Sequence, residues 1–172
     1  RLAADMSGGA RLTRLFNQYV TQTRAHNSFS ILIAKRLALL EASDDLRKSA
    51  FEFPLHQSDC HPFAMPTEGH HAHGGVITTV LQDVTTLHIC AADSRDRKAV
   101  TTDVNVSFLG VGKVGRTLRI DSEVLKLGGS LAVAQANITD LSSGSVLAVG
   151  RHSMMFVGED GGASKYSTIL HS

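Results

Sequence analysis

The segment from Gly74 to Ala92 is nearly continuously apolar, and it limits what the chain can fold into more than any other stretch. Its many β-branched residues (Val76, Ile77, Thr78, Thr79, Val80, Val84, Thr85, Thr86) favour strand by propensity. Its length argues for helix, because a run of roughly fifteen residues without a turn signal exceeds most strands. Periodicity alone leaves both open, with helix preferred. A helix apolar on nearly all sides must be buried on nearly all sides. The rest of the chain then has to supply a surface that wraps it.

The flanking sequence supplies strands. Leu46 to Leu55 alternates, with Phe51, Phe53 and Leu55 on one face, and Pro54 places its end there or on a sheet edge. Four further strands are expected at Val100–Leu109, Arg116–Leu127, Ser130–Asp140 and Ser145–Val157. In the second of these, Leu118, Ile120, Ser122 and Val124 share a face. Gly128-Gly129 is expected to provide the positive φ angles of a tight hairpin, and Ser142-Ser143-Gly144 the next turn. Consecutive strands joined by short connections predict an antiparallel meander. A chain of 172 residues, 42% hydrophobic and 19% charged, is of ordinary globular composition. A net charge of +1 argues against a nucleic-acid partner, and no membrane span is expected. Two cysteines, Cys60 and Cys90, make neither a disulfide framework nor a zinc site.

Residues 1–36 read as a basic amphipathic helical extension. Arg1, Arg11, Arg14, Arg24, Lys35 and Arg36 stand against a single acid, Asp5, and Leu12, Leu15, Phe16, Tyr19 and Val20 share one helical face. Such a start resembles a mitochondrial transit peptide, which makes the mitochondrion the expected address and the cytoplasm the alternative. The favoured reading of the helix is a cover for the domain edge. Residues 37–157 form the expected main domain, and 158–172 a Gly- and Ser-rich tail. Within the main domain, His56 to His73 is a long polar loop with five histidines (His56, His61, His70, His71, His73). No carboxylate or cysteine falls at a recognised spacing from them, so no metal is expected.

Three runs carry a family resemblance: His73-Gly74-Gly75 at the helix start, Thr101-Thr102-Asp103-Val104-Asn105-Val106, and Gly150-Arg151-His152-Ser153. In this order, from about Leu37 to Phe156, the chain resembles the hotdog-fold acyl-CoA thioesterases, closest to the small single-domain thioesterase-superfamily and phenylacetate-pathway type. The resemblance implies an α+β hotdog fold, an antiparallel sheet wrapped around a long central helix. It implies an acyl-CoA substrate, a homodimer or dimer of dimers, and no cofactor beyond the CoA moiety of the substrate. The helix N-terminus at Gly74 and Gly75 would hold the oxyanion formed when a thioester carbonyl is attacked. His73 is treated as positional, and Thr101 would place the water. The family's carboxylate falls nine residues after the motif histidine, which here is Gln82, with Asp83 next. Counting back from Thr101 selects Asp83 instead, and both stay candidates.

Other positions depart from the family. Thr67 stands where it carries an asparagine, Gly129 where the hairpin has a base, and Met154-Met155 where polar side chains are common. What remains to contact CoA is Lys113, Lys126 and the backbone around Phe108, Gly128 and Leu131. Two functions follow. One is thioester hydrolysis at a dimer interface. The other is an eroded hotdog domain acting as a structural subunit, docked to other proteins through the N-terminal helix.

Overall fold

A computed structural model describes residues 7–26, 28–60 and 71–157. His61, Thr67, His70 and the tail 158–172 lie outside them. Two N-terminal helices, α1 (Gly8–Ala25) and α2 (Ile31–Ala34), precede strands β1 (Ala38–Ala42) and β2 (Lys48–Pro54). A 3-10 turn at Gln57–Asp59 leads towards the central helix α3 (Gly74–Ala92). Strands β3 (Lys98–Phe108), β4 (Thr117–Leu127), β5 (Leu131–Asp140) and β6 (Val146–Val157) follow. All six strands form one antiparallel sheet in the order β1-β2-β4-β5-β6-β3. This is the hotdog fold, with α3 packed against β2 through β6.

The β-branched run folds as helix because its polar groups are satisfied within it. Thr78, Thr79 and Thr85 donate to the carbonyls of Gly74, Gly75 and Leu81 at 3.0, 2.8 and 2.8 Å. Ile77, Val80, Leu81, Val84, Leu87 and Ile89 are buried, each contributing about 1.5–3 kcal/mol by leaving water. By length and composition α3 is apolar enough to cross a bilayer, as the core helix of a globular domain also can be, and half of its most apolar stretch is buried inside the fold. Its apolarity is accounted for by the sheet that curls around it.

Two further expectations change. The meander holds only for β4-β5-β6. β3 crosses to the far edge and pairs with β6, while β4 pairs with β2. Among the described residues the glycines with positive φ are Gly115 (78°) and Gly144 (72°), not Gly128 or Gly129. The β4–β5 connection spans three residues and closes through the Gly128 N–H donated to the Leu131 carbonyl at 2.8 Å, so it needs no left-handed backbone.

Helix α1 runs antiparallel to α3. Arg11, buried, donates to the Asp93 carbonyl and to Asp96 at the end of α3. Leu12 is fully buried, and Phe16 meets Phe51 edge-on at 6.0 Å. Leu15, Phe16 and Tyr19 thus pack on the chain's own core, as expected of a helix covering the domain edge.

Two buried histidines tie α3 to the sheet. His88 bridges the Ser122 hydroxyl (2.9 Å) and the Leu46 carbonyl (3.0 Å). His152 on β6 lies 2.7 Å from the Thr85 hydroxyl. Gly150, two residues before it, permits this approach. A Cβ there would fall 2.6 Å from the Leu81 methyl and 2.8 Å from the Asn105 carbonyl oxygen.

Gly150→Ala is therefore expected to destabilise the fold by about 1–3 kcal/mol, measured by urea denaturation. A change within experimental error would show that helix and sheet can part freely. Burial also holds both imidazoles down to about 4, from 6.5. Between those pH values the unfolded chain binds the extra protons, so stability should fall as pH drops. The slope is about 1.4 kcal/mol per pH unit for each histidine. Asp83, whose carboxyl burial raises, opposes this at the lower end. Denaturation midpoints that do not move between pH 7 and 4.5 would refute the buried neutral state.

Candidate functional site

The loop into α3 is built on a buried ion pair. Arg36 reaches the two Asp59 carboxylate oxygens at 2.5 and 2.7 Å and stacks over the Phe53 ring. Burial pushes the Asp59 carboxyl up. The Arg36 hydrogen bonds and the His56 amide outweigh this and hold it below the usual range. Asp59 in turn accepts the His73 N–H on its backbone carbonyl at 2.7 Å, and the Ala72 N–H goes to the Gly112 carbonyl. The start of α3 is thus fixed from both sides.

At that start His73 is the N-cap. Its Nδ1 accepts the Gly75 N–H at 2.8 Å, so one of the two glycine amides is already satisfied. Among the described residues nothing accepts the Gly74 N–H. The Phe108 ring lies over Gly74, where a Cβ would fall 3.3 Å from it. The Gly74 N–H is thus the open donor at the helix start.

Eight residues further along, the side chain of Gln82 faces β3, its amide nitrogen 3.5 Å from the Thr101 hydroxyl. A register shift between Thr101 and Asp103 aims Thr101 at the helix. The Thr101 hydroxyl is 2.9 Å from His152 Nε2, and His152 Nδ1 meets Thr85. Hydrogen bookkeeping fixes the tautomer. The single Thr85 proton is drawn to the Leu81 carbonyl, so Thr85 accepts from Nδ1–H. Nε2 is then bare and takes the proton of Thr101. An exposed hydroxyl is backed by a fully buried neutral imidazole.

Asp83 is turned the other way, as two residues about 100° apart on a helix must be. Its oxygens accept from the Tyr19 hydroxyl at 2.7 Å and the Ser30 hydroxyl at 3.2 Å. Burial raises its carboxyl above the ordinary value, against the two hydroxyl donors. Burial and the neighbouring Asp83 charge raise the Tyr19 phenol in turn. Gln82, and not Asp83, stands beside Thr101.

The expected CoA contacts do not converge within one chain. Lys113 lies in the β3–β4 connection next to His71, at the Gly74 end of α3. Lys126 sits near the far end of β4, beside the hairpin whose Gly128 carbonyl accepts from Arg95 and Arg97. A strand of eleven residues separates them, roughly 35 Å. Leu131 opens β5 at that far end. Met154 is buried in the core and presents nothing to a ligand. No group of histidines, cysteines or carboxylates suited to a metal occurs among the described residues. The residue not singled out from sequence is His152. Its period-two spacing with the buried Met154 and Phe156 placed it on the inner face, where an imidazole needs partners.

Residues 69–147 match the family model of the thioesterase superfamily. Over 80 residues the chain is 30% identical to mouse acyl-coenzyme A thioesterase 13, covering 46% of this chain and 56% of that protein. The match thus spans little more than half the length of the curated relative. Among solved structures, zebrafish thioesterase superfamily member 2 superimposes with a TM-score of 0.68 at 23% identity, over 83% of this chain and 98% of that one. A hypothetical thioesterase protein of Streptococcus pneumoniae, solved with coenzyme A, gives 0.62 at 18% identity over 73% and 88%. The chain is a hotdog-fold protein that resembles the acyl-CoA thioesterases of the thioesterase superfamily over residues 69–147.

Proposed function

We propose that the chain hydrolyses an acyl-CoA thioester at a site completed by a second copy of itself. The observation that carries this is the hydrogen-bonded series Gln82–Thr101–His152–Thr85, which runs from the exposed Thr101 into the core beside α3. Water attacks the thioester carbonyl carbon and passes a proton to Thr101 as the Thr101 proton moves to His152 Nε2. The carbonyl oxygen becomes an oxyanion held by the Gly74 N–H at the helix start. The C–S bond then breaks, and the imidazolium returns its proton through Thr101 to the CoA thiolate. Gln82 orients the water but cannot take its proton. The kinship to mouse acyl-coenzyme A thioesterase 13 supports the substrate class.

Two copies are needed because Gly74 and Gln82 lie eight residues apart on one helix, about 12 Å along its axis. They cannot act on one carbonyl. β3 is an edge strand of eleven residues, largely exposed, of the kind that pairs with a second chain. Antiparallel pairing of two β3 edges would set the Gly74 end of one copy beside the far end of the other. There Lys126 and the exposed Arg95 could meet CoA phosphates. The structural-subunit reading has less support, since the α1 face it requires is packed on the chain's own core.

Thiol release from a series of acyl-CoAs tests the proposal. Thr101→Ala and His152→Ala are each expected to lower kcat by about 100-fold or more. Gln82→Asp, which places a carboxylate beside Thr101, is expected to raise it at least tenfold. Undiminished turnover in His152→Ala would exclude the proton route. Because the neutral imidazole is the working form and protonates at about 4, kcat/KM should stay level from about pH 8 to 5 and fall only as pH approaches 4. Specific activity should also fall on dilution as the dimer separates. A stable, fully active monomer by light scattering would refute the shared site.

A further inference from the structure

A half-open apolar cavity of about 360 Å³ lies beside the start of α3. Gly75, Val76 and Thr79 form its helix side, and Phe29, Leu32 and Ile33 form the opposite wall. The Arg36–Asp59 ion pair closes one end. Phe29 and Leu32 are 87% and 56% exposed, while Ile33 and Ala34 next to them are buried. Two large apolar side chains are thus held out of the core, over a cavity on the same helix turns as the Gly74 donor. The volume is at the lower end of the range for small-molecule pockets, about 300–1,000 Å³. With a methylene taken as about as large as one water's share of the liquid, roughly 30 Å³, it takes on the order of ten carbon atoms.

The wall is anchored by the carboxylate that the hydrolytic reading leaves idle. Asp83 makes no ion pair among the described residues, and its oxygens are bound by Ser30, which lies between the wall residues Phe29 and Leu32 in the chain, and by Tyr19 of α1. A half-buried carboxylate is costly unless it is hydrogen-bonded, and the two donors that offset this cost are held in place by it. We infer that Asp83 is a positioning residue for substrate, fixing the segment 29–36 through Ser30 so that the cavity selects the apolar acyl group by length. This rests on the acyl-CoA reading above and adds to it the acyl subsite and what sets its size.

Calorimetry with non-hydrolysable S-alkyl-CoA thioethers of two to sixteen carbons tests it without relying on turnover. The wild-type protein should bind about two- to fourfold more tightly for each added methylene, levelling near ten carbons. In Ser30→Ala and Asp83→Ala the gain per methylene should fall towards zero. Asp83→Asn, which can still accept one hydroxyl, should keep part of it. Leu32→Ala alters an exposed side chain and keeps the test decisive if the Asp83 variants do not fold. It should weaken the eight-carbon ligand about fivefold or more. A wild-type affinity independent of chain length, or the same gain per methylene in Ser30→Ala and Leu32→Ala, would overturn the inference. Thiol release with a flat length profile would reject the subsite alone, and a steep profile without thiol release would reject the hydrolytic reading alone.

Discussion

The burial of α3 in the concave side of the sheet governs the remaining structure. A helix without a polar face can exist only where neighbours cover it, and here five strands and α1 do so. That requirement explains the alanines of β5 (Ala132, Ala134 and Ala136, all buried), which leave room for the helix, and Gly150, which lets Leu81 meet the sheet. It also determines how polar groups can be placed. A buried hydrogen-bonding side chain on α3 must find a partner inside the fold, and Thr78, Thr79, Thr85, His88 and Asp83 each have one.

The same constraint creates the site. His152 is neutral because it is buried, and its tautomer is set by Thr85, whose proton the helix backbone has already claimed. Thr101 sits on an exposed edge strand but points at this buried ring. Hydrogen-bonded side chains are therefore gathered at the line where the helix meets β3 and β6. That line passes between Gln82 and Asp83, with the amide turned to β3 and the carboxylate to α1 and α2. In a fold with a helix this enclosed, one residue of register decides whether a side chain faces β3 or the two N-terminal helices.

Much of this was legible in the sequence. The bounds of α3, the alternating faces of β2 and β4, and the His-Gly-Gly helix start follow from local patterns. The strand order was not, because β3 pairs with β6 across some fifty positions, from Thr101↔Met154 to Lys98↔Val157. Local alternation says which face of a strand is buried and nothing about its neighbour. The turn glycines were misassigned for a related reason: the conformation of the Gly128 segment depends on the length of the connection and on Arg95 and Arg97 holding its carbonyl.

The sequence by itself determined that a long apolar segment, preferred as helix by its length, had to be wrapped by alternating strands. Length, composition and alternation suffice for that, since they encode how much surface each segment must hide, whereas the role of the helix start was implied by the resemblance that His73-Gly74-Gly75 carries. Only the tertiary structure decided what Gln82, Asp83 and His152 face. Their partners (Thr101, Tyr19 with Ser30, and Thr85) stand 19, 64 with 53, and 67 positions away. A side chain's chemistry depends on the groups brought within about 3 Å of it, and over such separations that is a property of packing.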